Sequence, residues 1–100
     1  MTITQINEND IITLALDGWL DHESSPELEK VVDSIPSAKQ LVIDFSKVEY
    51  ISSAGIRALV SAHRKVKELD AELGITHVNP EVMNILSMTG LDKKLNIQAD

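Results

Sequence analysis

Two apolar patterns of different period lie back to back in this chain, and they leave few folds open. Leu41-Val42-Ile43 is a short, partly β-branched apolar run without alternation, as expected of a strand buried on both faces. Ile56, Leu59, Val60, His63, Val66 and Leu69 then recur at helical spacing as far as about Leu73, forming one stripe of an amphipathic helix. Ile75 to Val78 reads as another strand. A strand, a long helix and a strand in this order predict a parallel, right-handed crossover and a sheet at least partly parallel.

The flanks fit around that unit. Residues 2–6 and 11–17 read as two strands joined by the turn Asn7-Glu8-Asn9-Asp10, with Ile12, Leu14 and Leu16 alternating against Thr13, Ala15 and Asp17, and with Gly18 ending the second strand. Ser25-Pro26-Glu27 opens a helix, with serine as N-cap and proline in the first helical position. Leu28, Val31, Val32 and Ile35 form its inward stripe, and Pro36 stops it. Asn79-Pro80-Glu81 is a second cap-plus-proline start, with Val82, Ile85 and Leu86 inward and Gly90 as C-terminal cap. Leu91 to Ile97 returns to the sheet edge. The expected fold is α/β: one domain over residues 1–100, with a mixed four- to five-stranded sheet packed against about three to four helices.

Charge and composition narrow the function. Sixteen acidic against nine basic side chains give a net charge of −7, which repels phosphate backbones and anionic lipid surfaces. Nucleic acid is therefore not an expected partner, and three aromatic residues do not make a base-stacking platform. Residues 1–50 hold ten acids and three bases, whereas residues 51–100 hold six of each. That bias gives either an acidic face for a basic partner or a merely solvated surface. No apolar run approaches the roughly 18 residues of a membrane span, so no membrane insertion is expected, and the expected address is cytoplasmic. The sequence has no cysteine, which excludes disulfides, thiolate nucleophiles and cysteine-based zinc sites. No Gly-x-Ser-x-Gly elbow, phosphate-binding Gly-rich loop or metal-ligand histidine spacing appears, so the chain is expected not to be an enzyme and to need no cofactor or metal.

α/β folds place functional groups where strands end and helices begin, which selects residues 18–26 and 46–57. The second junction reads Ile51-Ser52-Ser53-Ala54-Gly55-Ile56-Arg57. A serine here can cap the helix, and Ala54 and Gly55 leave its start bare of side-chain bulk, open to a phosphate or a partner. A phosphate on Ser53 would add about −1.5 to −2 charges at the positive end of a helix dipole, with Arg57 one turn on to help hold it. A plain N-cap beside a packing glycine remains the bland alternative. At the first junction, His22 beside Glu23 is either a solvent-exposed loop histidine or a phosphocarrier. His63 reads as a core-edge histidine and His77 as a strand histidine.

The ordered set of motifs resembles a STAS domain of the bacterial anti-sigma factor antagonist family. Gly18-Trp19-Leu20-Asp21-His22 is similar to the family's Gly-x-Leu-Asp loop. Leu41-Val42-Ile43-Asp44-Phe45-Ser46, Ile51-Ser52-Ser53-Ala54-Gly55-Ile56, Asn79-Pro80-Glu81-Val82 and Met88-Thr89-Gly90-Leu91 follow in order over about residues 2–97. The resemblance implies a regulatory protein that binds an anti-sigma factor serine kinase when unphosphorylated and so releases a sigma factor. Phosphorylation switches it off and a separate serine phosphatase restores it. Carried over by position, Ser53 is the acceptor, with Ser52 a minor alternative. Asp21, His22, Asp44, Ser52, Ala54, Gly55 and Arg57 are the expected partner-binding residues. One position departs from the family motif: Ser52 stands where its leading acid would be. That departure favours the second role implied by the resemblance, a non-phosphorylated interaction subunit of a lipid-transport or larger signalling complex.

Overall fold

The computed structural model describes residues 1–99. β1 (Thr2–Glu8) and β2 (Ile11–Leu20) form an antiparallel hairpin, followed by α1 (Ser25–Asp33), β3 (Gln40–Ile51) and α2 (Ser53–Glu68). β4 (Glu72–Val78), α3 (Pro80–Met88), the single turn α4 (Leu91–Lys94) and β5 (Asn96–Ala99) complete the described chain. The sheet order is β1-β2-β3-β4-β5, and every pairing after the hairpin is parallel. The expected mixed α/β architecture is therefore present, at the five-strand, four-helix end of the range.

Local chemistry explains each boundary. Asn9 and Asp10 carry φ of 51° and 65°, the left-handed pair that a two-residue hairpin turn requires and that Asn and Asp tolerate best. The sheet's core face is set by alternation: Ile12, Leu14 and Leu16 on β2 lie beside Leu41, Ile43 and Phe45 on β3, with Leu73 and Ile75 on β4, all buried. Val42, expected to be buried, is only half-buried, and so are Thr13, Ala15 and Thr76, its neighbours on the opposite face. The apolar run at 41–43 thus conceals an ordinary alternation, because Val42 occupies the less covered face.

Three other expectations are corrected. Gly18 does not end β2. With φ of 121°, open to glycine and costly for any other residue, it carries a bulge in the pairing with β3, and the strand continues to Leu20. The long helix stops at Glu68, so Leu73 belongs to β4, which begins three residues earlier than the expected Ile75. Its buried face is Gly55, Ala58, Leu59, Ala62 and Val66, while Val60 is exposed. Small residues let the helix axis approach the sheet closely, and they carry little hydrophobic signal in a sequence pattern.

Asn79 does what its position predicts. Its side-chain oxygen accepts from the Val82 N–H at 2.8 Å, while its amide nitrogen donates to the Val48 carbonyl at 2.9 Å. One residue both caps α3 and anchors it to β3. Gly90, at φ 79°, turns the chain out of α3 as expected of a left-handed C-terminal residue. Asn79→Ala removes both bonds and is expected to destabilise the fold by about 1–3 kcal/mol. Urea denaturation checks this, and an unchanged midpoint would contradict the double role.

Candidate functional site

The end of the sheet where β2 and β3 finish is organised by one backbone oxygen. The Leu20 carbonyl accepts from the Ser52 N–H at 2.9 Å, tying the last residue of β2 to the residue before α2. The same oxygen would lie 2.6 Å from a Cβ placed on Gly55, and the Ile51 and Leu20 side chains would lie at 2.7 and 2.9 Å. No side chain fits there. Gly55 is buried, so the closely approaching backbone is the protein's own and not a partner's. The glycine expected to bare the helix start to the outside instead sets how tightly that start packs on β2.

The two serines divide the work. Ser52 is the N-cap: its backbone is extended, and its hydroxyl oxygen accepts from the Gly55 N–H at a long 3.4 Å. Its carbonyl accepts the first helical bond, from the Ile56 N–H at 3.0 Å. Ser53, the first helical residue, is exposed, and its hydroxyl makes no hydrogen bond among the described residues. Its oxygen therefore lies open to solvent at the positive end of a 16-residue helix. Ala54 is half-buried beside it, and Arg57 is exposed one turn on.

The loop after β2 closes the other side. Asp21 accepts from the backbone N–H groups of Glu23 and Ser24, both at 3.1 Å, and from the Ser24 hydroxyl. The Ser24 backbone bond is the leading cause holding the Asp21 carboxyl below its ordinary 3.8, with the Ser24 hydroxyl and Glu23 N–H adding to it against a desolvation cost. The start of α1 is also corrected here. Ser24, not Ser25, is the N-cap, and neither serine caps the helix with its side chain. Both are buried, and their hydroxyls donate to the carbonyls of Trp19 and Asp21, respectively. The first N–H groups of α1 are met instead by main-chain carbonyls, that of Ser25 by Asp21 and those of Glu27 and Leu28 by Ser24, and His22 projects from the turn, exposed.

Asp44 is not gathered into this group. It lies seven residues before Ile51 on β3, accepts from the Ser46 N–H at 2.9 Å and faces His77 Nδ1 at 3.2 Å. His77, expected as a plain strand residue, adopts a left-handed φ of 57° where the β4–β5 pairing slips. His63 is partly buried on α2, and desolvation, helped by Lys67, lowers its pKa below 6.5. Four residues at the site end are not among the expected site residues: Trp19, Glu49, Tyr50 and Glu81. Trp19 and Tyr50 pair directly across β2 and β3, and their signal was two aromatics flanking the two junction motifs.

The chain matches the STAS domain family over residues 2–100. It belongs to that family. Anti-sigma-F factor antagonist RsfB of Mycobacterium tuberculosis is 26% identical over 101 residues, covering 97% of this chain and 80% of that protein. The crystal structure of an anti-sigma factor antagonist from Mycobacterium paratuberculosis superposes with a TM-score of 0.88 at 25% identity, covering 99% of this STAS domain and 86% of that chain. The anti-sigma factor antagonist SpoIIAA in its unphosphorylated form shares the fold, with a TM-score of 0.76 at 12% identity over 99% of this chain and 88% of that one. No helix among the described residues is long and apolar enough to cross a membrane.

Two predictions follow from the packing of this STAS site. Helix propensity alone makes Gly55→Ala stabilising by about 1 kcal/mol. The contact with Leu20 reverses the sign, to a loss of about 1–3 kcal/mol; urea titration decides, and a gain in stability would contradict the close approach. Because the folded Asp21 carboxyl is held below its ordinary value, its contribution is present above about pH 4 and disappears as the pH falls through the folded pKa. Asp21→Asn is expected to flatten the acid limb of the stability–pH curve while leaving the curve above about pH 6 parallel to that of the parent. An unaltered acid limb would remove the role assigned to that carboxylate.

Proposed function

We propose that this STAS domain is an anti-sigma factor antagonist acting as a non-enzymatic switch. In its unphosphorylated form it binds an anti-sigma factor serine kinase and so releases a sigma factor, and phosphorylation of Ser53 ends that binding. The observation that carries the reading is the exposed Ser53 hydroxyl, without a hydrogen bond among the described residues, on a helix start tied to β2 by the bond from the Ser52 N–H to the Leu20 carbonyl. The family match and the printed names of the relatives support the partner class.

The chemistry is compatible with a switch that leaves the fold intact. A phosphate on Ser53 Oγ meets the helix N-terminus, where negative charge is stabilised by about 0.3–1 kcal/mol, and Arg57 lies one turn along the helix. A partner surface fitted to a neutral hydroxyl meets instead about −1.5 to −2 charges with three strong acceptor oxygens, and must leave them either unpaired or solvated. Asp21 and His22, Ser52 and Ala54 would form the rim of that contact. Asp44 would contribute only through the sheet that holds it, and Gly55 only by placing Ser53. The kinase supplies ATP and Mg²⁺, and a serine phosphatase of the same pathway reverses the modification. A cytoplasmic address follows from that partnership.

The Ser52 departure fits this reading. Asp and Ser are comparable N-caps, so a serine at the position of the motif's acid keeps the cap and removes one charge beside the acceptor. Its own hydroxyl is engaged as the cap, which favours Ser53 over Ser52 as the acceptor. Incubation with the cognate kinase and ATP, followed by peptide mass mapping, is expected to place one phosphate on Ser53, abolished by Ser53→Ala. Ser53→Asp is expected to weaken the complex roughly tenfold or more by calorimetry. A complex indifferent to Ser53→Asp, with no phosphate gained, would select the non-phosphorylated interaction-subunit role instead.

A further inference from the structure

An exposed aromatic pair, one member of which, Tyr50, lies three residues before Ser53 along the chain, and two carboxylates line an open cleft. Trp19 and Tyr50 are 55% and 38% exposed, and their ring centroids are 5.5 Å apart with planes tilted by 55°. The indole N–H donates to Glu49 Oε2 at 3.1 Å, which holds the ring in place and leaves the carboxylate's other oxygen free to accept. Glu81, in the first turn of α3, completes the lining of a cleft of about 520 Å³. Asn79 fixes that helix start to β3 through the Val48 carbonyl, which keeps Glu81 at the rim of the same cleft.

This arrangement lacks an internal counterpart. The ion pairs among the described residues are Lys39–Asp10 and His77–Asp44, and neither involves Glu49 or Glu81. The exposed ring surface of this pair is free to meet a partner. The surroundings are acidic, since the chain carries a net −7 and most of its excess acid lies in residues 1–50. Aromatic faces attract cations, and they accept a planar guanidinium better than a compact ammonium because it can stack on a ring while its edge N–H groups reach carboxylates. An apolar occupant would bury two carboxylates that have no cation beside them among the described residues, and a nucleotide phosphate would meet them as like charge.

We propose that the Trp19–Tyr50 cleft, with Glu49 and Glu81 as acceptors, receives an arginine side chain presented by the partner protein. The naming of that partner as an anti-sigma factor kinase rests on the functional reading above; the chemistry of the occupant does not. The guanidinium stacks on the exposed face of the ring pair and donates to the free oxygen of Glu49 and to Glu81. Such a contact supplies register to a complex whose switch is the neighbouring serine.

Trp19 is the protein's only tryptophan, so its indole N–H gives one unambiguous NMR signal. Titration of the full chain with N-acetyl-arginine amide is expected to shift that signal, with those of Tyr50 and Glu81, along a saturating curve. The neutral, near-isosteric N-acetyl-citrulline amide should bind at least roughly fivefold more weakly. Glu81→Gln and Tyr50→Leu, both at exposed positions, should each reduce arginine affinity, whereas Glu68→Gln, an exposed carboxylate at the far end of α2, should leave it unchanged. Equal response to citrulline, non-saturating shifts scattered over the acidic surface, or shifts that track protein concentration without probe and so report a second copy of this chain would each overturn the assignment. Because the probe needs no kinase, failure here is distinct from failure of Ser53 to accept phosphate.

Discussion

The geometry of the site depends on the contact between the Leu20 carbonyl and the first turn of α2. That oxygen bonds the Ser52 N–H and occupies the space that a side chain at Gly55 would need. It fixes three things at once: the end of β2, the extended backbone of the N-cap, and the depth at which α2 lies on the sheet. With those fixed, Ser53 becomes the first helical residue and faces solvent. A side chain at position 55 would push the helix start outward and turn the serine to a different direction. The buried glycine is thus a positioning residue for a hydroxyl two residues earlier.

The surrounding structure maintains that placement by satisfying its own polar groups. Asp21 organises the loop after β2 with backbone bonds, and the buried Ser24 and Ser25 return their hydroxyls to main-chain carbonyls. No buried side-chain nitrogen or oxygen among the described residues lacks a partner, so the scaffold has few alternative ways to arrange this end of the sheet. The hydroxyl of Ser53 is then an exposed group on a support whose own buried polar side chains are satisfied. Added charge there changes what the surface attracts or repels, and the backbone need not rearrange to express it.

Much of this was legible in the sequence, and the misses have physical causes. The element order and the parallel crossover follow from the change in apolar period between 41–45 and 56–69, and Asn79-Pro80 marked a real cap. The end of β2 was misplaced because glycine commonly stops strands, and only the left-handed φ at Gly18 shows that it serves a bulge instead. The buried face of α2 was displaced because Gly55, Ala58 and Ala62 pack by being small, which a pattern of large apolar residues does not register. The motif at 51–56 points to Ser52 and Ser53, but it does not say which of the two caps the helix or that Gly55 answers to Leu20. The pairing of Trp19 with Tyr50 is a matter of register across strands, so the cleft they form with Glu49 and Glu81 has no local signature.

The central claim is that Ser53 carries a charge-operated switch on a helix start that does not move. Backbone amide NMR spectra of the unmodified chain and the Ser53-phosphorylated chain test it most directly. The account predicts displaced signals confined to residues near 20–24 and 51–57, with the signals of the sheet and the rest of α2 in place. Displacements spread along α2 and β3, or a collapse of spectral dispersion, would contradict it by showing that the modification acts through refolding.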